Sequence, residues 1–282
     1  MHDNSLKRIM TISSNISSDF HDKLAIKVIT GLNNLKIEQI KQMTQAAEIA
    51  KATYMDIAAD TSIIKKLQYT STIPLCVSAV SAQRLVKCQK AGVQILEIGN
   101  YDTFYKQGRL FTSKEIIEIS KDTKNLLPET TLCVTIPHIL QIEEQIQLAQ
   151  DLKNIGVSII QTEGKSTSFS KKGDLSGTIQ KSASTCSSTY TISENSEMPI
   201  ISASGISALT SPISFLYGAS CVGIGNNIKQ LTDIASMVIY IHEVKTAIKC
   251  NQNTKQQFFH SIKTSSIICQ LVFFDMQIQD YI

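Results

Sequence analysis

Tryptophan is missing from the chain, and proline and glycine are scarce, at 5 and 12 of 282 residues. Collagen-like repeats and Pro/Gly-rich disorder need several times that share, so both are excluded. Seven cysteines occur, but no two form a C-x-x-C pair. That removes the usual signature of a zinc site or a redox motif, and neither metal nor other cofactor is expected. Their odd number and wide spacing also exclude a small disulfide-stapled scaffold. Cys76, Cys133 and Cys221 lie inside short apolar runs, where cysteine behaves as a small buried hydrophobe.

An excess of one charge is missing too. Lys and Arg number 27 against 24 Asp and Glu, a net +3 spread along the chain. No basic run is interleaved with aromatics, so neither nucleic acid nor a membrane surface is expected as a partner. No apolar run approaches the roughly 18 residues of a membrane span; Ile267 to Phe274 is short and broken by Gln270. The first 22 residues are polar and Ser-rich and carry Asp3, Asp19 and Asp22. They lack the apolar centre of a secretory signal, and their acids argue against a transit peptide. The expectation is a soluble protein large enough to bury a sizeable core unaided.

What the chain does contain is alternation. Short β-rich runs stand at Ala25–Thr30, Thr53–Ala58, Leu75–Val80, Ile95–Gly99, Leu132–Ile136, Ser158–Thr162, Ile200–Ser204 and Cys221–Gly225. Stretches of helical period lie between them, at Glu38–Ala50, Ala82–Ala91, Lys114–Leu127, Ile142–Ile155 and Lys229–Lys249. Such alternation points to parallel βαβ units. Eight strands in this length match a (β/α)8 TIM barrel, with an open doubly wound sheet as the alternative. The expected organisation is a polar segment over 1–22, a single barrel domain over 23–250, and a tail over 251–282 that is helical or poorly ordered.

An internal repeat supports the barrel. Gly92-Val-Gln-Ile-Leu-Glu-Ile-Gly99 recurs as Gly156-Val-Ser-Ile-Ile-Gln-Thr-Glu163 and as Gly218-Ala-Ser-Cys-Val-Gly-Ile-Gly225, 64 and 62 residues apart. Each copy begins with a glycine suited to ending a helix. Intervening strands follow proline instead, at Pro74 and Pro199. The repeat also sets the alternation of side chains. Leu96, Ile98, Ile160, Val222 and Ile224 share the outward parity, as do Ile26 and Val28. Lys27, Asp56, Glu97, Gly99, Gln161, Glu163, Gly223 and Gly225 then point inward. Barrel interiors are usually filled by branched apolar residues. A charge there is costly unless it is paired or put to use.

Lys27 with Asp56 and Glu97 is therefore the first candidate for chemistry, as general acid, electrophile or imine former. A closed ion pair fixing the strand register is the alternative. The second candidate is the end of strands 7 and 8. There Gly205, Gly225 and Asn226 could offer backbone N–H groups to a phosphate, or simply make tight turns. Glu163 and Lys165, after strand 6, are candidate ligand contacts. Their Gly164-Lys165-Ser166 run is no P-loop, since Ile159 stands where that motif needs glycine. The Ser/Thr/Lys-rich stretch from there to about Tyr190 reads as a surface excursion or a lid. The long loop after strand 4 carries Tyr101, Phe104, Tyr105, Arg109 and Phe111. These either cap a ligand, with Arg109 meeting its anion, or pack as a plug over the mouth or in an oligomer contact. His138, after Pro137, is the histidine placed for acid–base work, or for bonding within its loop.

Several runs are specific beyond their physics: Ala25-Ile-Lys-Val-Ile-Thr-Gly-Leu-Asn-Asn34, Ala46 to Asp60, Glu97-Ile-Gly-Asn-Tyr-Asp102, Pro137-His-Ile-Leu140 and Gln161-Thr-Glu-Gly-Lys-Ser166. Together, over about residues 19 to 250, they resemble the hypothetical chloroplast open reading frame 23 family of plastid- and cyanobacterium-encoded proteins. The resemblance implies a plastid location with the gene in the plastid itself, which suits the missing transit peptide. It implies no particular reaction. More loosely, the strand 7 and 8 ends resemble the phosphate-binding barrels of tryptophan biosynthesis and sugar-phosphate epimerisation, an analogy at the level of fold. Two functions follow as expectations. One is an acid–base enzyme of isomerase, epimerase, aldolase or synthase type acting on a small phosphorylated metabolite; the other is a metabolite-binding or regulatory barrel without catalysis.

Overall fold

Alternating side chains give each strand two faces, and the apolar residues sort between them accordingly. The computed structural model of the protein describes residues 14–105, 107–164 and 175–264. Its strands are β1 (Ala25–Ile29), β2 (Tyr54–Ala58), β3 (Leu75–Ala79), β4 (Ile95–Ile98), β5 (Thr131–Ile136), β6 (Ile159–Thr162), β7 (Ile200–Ala203) and β8 (Cys221–Ile224). They pair in parallel in chain order, and β8 closes onto β1 with Lys27 opposite Gly223. This is the (β/α)8 barrel, and each strand lies within one residue of its expected bounds. Among the described residues no helix is long and apolar enough to cross a membrane.

Outward residues lie under the helices in two apolar clusters. Leu96, Ile98, Val134 and Ile160 belong to one; Ile26, Val28, Val222 and Ile224 belong to the other. In the second cluster the Ile37–Ile49 helix contributes Met43, Ala46 and Ala47, and the long Ile234–Thr264 helix contributes Met237, Ile241 and Val244. The inward residues Ala25, Tyr54, Cys76, Ile95, Cys133, Ile159, Ile201 and Cys221 fill the lower barrel.

Two segments depart from expectation. The polar N-terminal stretch ends in a helix, Ser14–His21, whose Ile16 and Phe20 insert into the barrel floor. Phe20 stacks on Tyr54 at 6.3 Å. The Asp19 carboxylate accepts the Thr53 hydroxyl at 2.7 Å, and Thr53 Oγ1 accepts the Ile26 N–H at 3.0 Å. The i, i+4 spacing of Ile16 and Phe20 was the available signal, diluted by surrounding serines.

The second departure follows β6. Residues 165–174 and Lys165 lie outside the described residues, but Leu175–Asn195 is a 21-residue helix rather than an excursion. Its packed side adds a set of hydroxyls to two buried apolar groups, Ile192 and Cys186. The Thr162, Thr189, Ser202 and Ser214 hydroxyls form a buried chain with spacings of 2.8, 3.1 and 3.2 Å. Thr189 Oγ1 also reaches the Thr185 carbonyl at 2.8 Å. A helix docked this way shows no strong apolar period, which is why the sequence pattern hid it. The C-terminal helix continues to Thr264, and 265–282 lie outside the described residues.

If the N-terminal helix is an integral floor, Phe20→Ala removes a buried aromatic and should lower stability by about 3–5 kcal/mol. Urea unfolding of wild type and variant measures this. An unchanged midpoint would mean that the helix merely rests against the barrel.

Candidate functional site

The middle of the barrel is polar. Lys27 rises from β1 and its ammonium is bonded to Glu97 Oε2, to Gln161 Oε1 at 2.8 Å and, as an ion pair, to Asp56 Oδ2 at 3.4 Å. Gln161 Nε2 donates to Glu97 Oε1 at 2.8 Å and to Thr135 Oγ1 at 3.0 Å. The Thr135 hydroxyl donates to Glu97 Oε1 at 3.2 Å, and the Ser78 hydroxyl to Asp56 Oδ1 at 2.5 Å. Asn100, just past β4, donates its amide to Asp56 Oδ2 at 3.1 Å. The inward residues Lys27, Asp56 and Glu97 thus meet, at 0, 1 and 0% exposure. Gly99 is required beside them, because a Cβ there would lie 2.1 Å from Thr135 Oγ1.

Burial alone would push the Lys27 ammonium down, but Asp56 and Glu97 more than reverse this and hold it well above lysine's usual range. Such an ammonium offers no lone pair for imine formation or proton abstraction. Burial pushes the Glu97 carboxyl up, against the opposing pull of Lys27. Asp56, Cys76 and Glu97 have donor atoms within 4.8 Å of one another. They do not suit a metal, because both carboxylates already bind the Lys27 ammonium and burial raises the Cys76 thiol well above its usual range. Burial likewise raises Cys133, and Cys221 to about 12. These thiols are packing groups, as their apolar settings suggested.

Above this floor, at the carboxyl ends of the strands, lies a second polar group. Glu163 Oε1 accepts the Tyr105 hydroxyl at 2.6 Å and the His138 backbone N–H at 3.2 Å, and lies 3.1 Å from His138 Nδ1. The Tyr105 and His138 rings meet edge to face, with centroids 5.0 Å apart. Glu163 and His138 side chains keep 7 and 14% exposure, so they border solvent while the floor does not. Of the loop aromatics, Tyr101 and Phe111 are buried with centroids 4.7 Å apart, and the Tyr101 hydroxyl donates to the Thr135 carbonyl at 3.2 Å. They belong to the apolar cluster outside β4 and β5, whereas Tyr105 bonds the mouth carboxylate. Arg109 stacks over Phe111 at 4.5 Å and pairs with Glu115 of the following Ser113–Leu126 helix at 3.9 Å, so its guanidinium is engaged beside its own loop.

At the remaining rim, Ser204 and Gly205 both have positive φ, 85° and 73°. The Ser204 hydroxyl donates to the Gly164 carbonyl at 3.1 Å, and the Ser204 carbonyl accepts the Thr185 hydroxyl at 2.8 Å. Gly225 precedes a one-turn helix, Asn226–Lys229, and a Cβ on it would lie 2.7 Å from the Ile29 carbonyl. Its lack of a side chain is therefore needed for packing on β1, whatever else it does. Asn226 is exposed. Ser78, Thr135 and Asn100 were not singled out as site residues from sequence, and Tyr105 was named only as one of the aromatics after strand 4. Ser78 and Thr135 were detectable by extending the inward parity to β3 and β5; Asn100 and Tyr105, the latter ending the one-turn helix Asp102–Tyr105, lie beyond the strand, where parity gives no guide.

A family model described as "Protein of unknown function (DUF561)" matches residues 12–254. "Uncharacterized protein ycf23" of Pyropia yezoensis is 71% identical over 97% of this chain and all of its own length. The ycf23 protein of Cyanidium caldarium is 35% identical over 85% of this chain and 96% of its own. Among solved structures, 3-hexulose-6-phosphate synthase from Salmonella typhimurium superposes with a TM-score of 0.58 at 11% identity, covering 80% of this chain and 99% of that one. Phospho-2-dehydro-3-deoxyheptonate aldolase from Thermotoga maritima gives 0.57 at 12% identity, covering 80% and 69%. At such identities these two share the barrel fold with this chain.

Lys27→Met keeps the stem and removes the charge, leaving two carboxyls buried without their cation. The expected loss is about 3–5 kcal/mol. The folded Lys27 value is raised above lysine's 10.5, so its stabilisation is whole below that pH and declines as pH rises past it. The stability gap between wild type and variant should stay level from about pH 7 to 10 and narrow above. Denaturant unfolding across that range tests it, and a variant as stable as wild type would sink the closed-floor account.

Proposed function

The chain belongs to the ycf23 family, and we propose that it is an acid–base enzyme acting on a small phosphorylated metabolite at the mouth of the barrel. Its location is the plastid. The observation that carries the reading is the Glu163–His138 pair, held at the solvent boundary by Tyr105 directly after β6 and β5. A carboxylate and an imidazole in contact can take a proton from one substrate atom and return it to another, as an isomerase, epimerase, aldolase or synthase of this kind requires. The names of the two similar barrels, both concerned with sugar-phosphate chemistry, agree in substrate class.

In this reading proton transfer belongs to Glu163 and His138 rather than to Lys27, whose ammonium is already taken up by Glu97, Gln161 and Asp56. Lys27, Asp56 and Glu97 set the charge beneath the substrate, and Asn100 ties the chain just after β4 to that floor. Gly205, Gly225 and Asn226 supply backbone N–H groups for the phosphate, joined by Lys165 and by Arg109 on release from Glu115. One observation favours a second reading, a metabolite-sensing barrel without turnover. The network around Lys27 is closed, and nothing in it needs a substrate to be complete.

Thermal-shift screening against phosphorylated metabolites, then turnover assays on the hits, separates the two. Catalysis predicts stabilisation together with turnover, and a loss of about 100-fold or more in Glu163→Gln with the melting temperature nearly kept. Stabilisation with no turnover by any hit favours sensing. No stabilisation by any phosphorylated compound defeats both.

A further inference from the structure

The contact between Glu163 and His138 fixes the tautomer of the imidazole. Glu163 Oε1 accepts the Tyr105 hydroxyl at 2.6 Å and the His138 backbone N–H at 3.2 Å. An oxygen that takes two donors in this way is an acceptor. The hydrogen in its 3.1 Å contact with His138 Nδ1 therefore belongs to the ring nitrogen. A neutral imidazole carries a single N–H, so with hydrogen on Nδ1 the lone pair stands on Nε2.

Burial makes this arrangement hold. The same contact recurs between His21 Nδ1 and Asp22 at 3.1 Å, but those side chains are 67 and 52% exposed, and water competes for both. At His138 and Glu163 the exposures are 14 and 7%. The His138 ring also meets the Tyr105 ring edge to face, with centroids 5.0 Å apart. Turning the ring would lose both the carboxylate and this packing. Among the described residues, Nε2 has no hydrogen-bond partner, and Ser120 Oγ is the one buried side-chain N or O atom in that condition. The Nε2 atom is thus left to solvent just past the end of β5.

We propose that His138 Nε2 is the atom that exchanges a proton with the substrate, and that Glu163 and Tyr105 are positioning residues acting through it. The assignment rests on the acid–base reading above and goes further by giving each member of the group one role. The proton passes from the substrate to the Nε2 lone pair, and the electron pair of the broken bond stays on the substrate. The imidazolium so formed has hydrogen on both nitrogens, with Nδ1–H on Glu163, whose negative charge stabilises it. Nε2–H then returns the proton, and no co-reactant is consumed.

The tautomer is readable without a ligand. Long-range proton–nitrogen NMR of the full chain, with 15N-labelled histidine, reports which ring nitrogen bears hydrogen. It is run at about pH 8.5, above the usual imidazole value of about 6.5, and His138→Gln identifies the signal by its loss. His138 should show the Nδ1–H form, and His21 the averaged pattern of an exposed ring. Glu163→Leu removes the acceptor and should shift His138 to Nε2–H, whereas Glu163→Gln should keep Nδ1–H through its amide oxygen. If Glu163→Leu fails to fold, the wild-type spectrum still decides. Diethyl pyrocarbonate, which acylates an accessible imidazole lone pair, should label His138 as well as His21. On any substrate from the metabolite screen, His138→Gln should lower turnover by about 100-fold or more, at least as much as Glu163→Gln. Three results overturn the assignment: an Nε2–H His138 in wild type, a His138 that resists acylation while His21 reacts, or a smaller loss in His138→Gln than in Glu163→Gln. A screen without turnover overturns the acid–base reading itself, whereas a wrong tautomer overturns only the assignment within it.

Discussion

A single lysine ammonium in the middle of a closed barrel constrains most of what surrounds it. Lys27 has no water to solvate it, and an ion in that position is tolerated only with charged partners and hydrogen bonds on every side. Asp56 comes from β2, Glu97 from β4 and Gln161 from β6 to supply them. Each carboxylate then needs its own donors, which Ser78, Thr135 and Asn100 provide. Even Gly99 follows from this, because the Thr135 hydroxyl occupies the space a side chain would take. A slip of one residue in any of these strands would turn its polar group outward under the apolar helices. The network therefore specifies register as well as storing charge.

That closure divides the labour inside the barrel. The floor holds its protons firmly, with Lys27 well above its usual range and shielded from solvent. The mouth group of Tyr105, His138 and Glu163 is small, partly exposed and built on three different strand ends. Active sites of this fold sit at that end because the loops there can vary without disturbing the packed strands. Asn100, with φ of 64° and its amide on Asp56, ties the chain just after β4 to the floor.

The outer shell is also of two kinds. Over most of the barrel the helices press apolar side chains onto Ile, Leu and Val of the strands. Over β6 and β7 a chain of threonine and serine hydroxyls joins the apolar contact of Ile192 with Ile160 and Ile200. The same Ser/Thr-rich helix leaves Ile179 and Tyr190 exposed.

The sequence by itself determined the eight strands, their order and the inward parity of Lys27, Asp56, Glu97 and Gln161. Strand length, alternation and the Gly-initiated repeat are local properties, and side-chain parity is a geometric consequence of being a strand. It also marked Glu163 and His138 as residues at strand ends. Only the tertiary structure decided what those residues do to one another. Whether Lys27 is open or sealed depends on the distances among side chains from four strands, and no local pattern encodes them. Tyr105 reaches Glu163 across 58 residues of chain, and its loop has no periodicity to announce it. The helix over β6 and the plug formed by Ile16 and Phe20 were hidden for a related reason. Much of their packing is made by hydroxyls or a few separate apolar side chains, and hydrophobic periodicity registers only surfaces buried by continuous apolar contact.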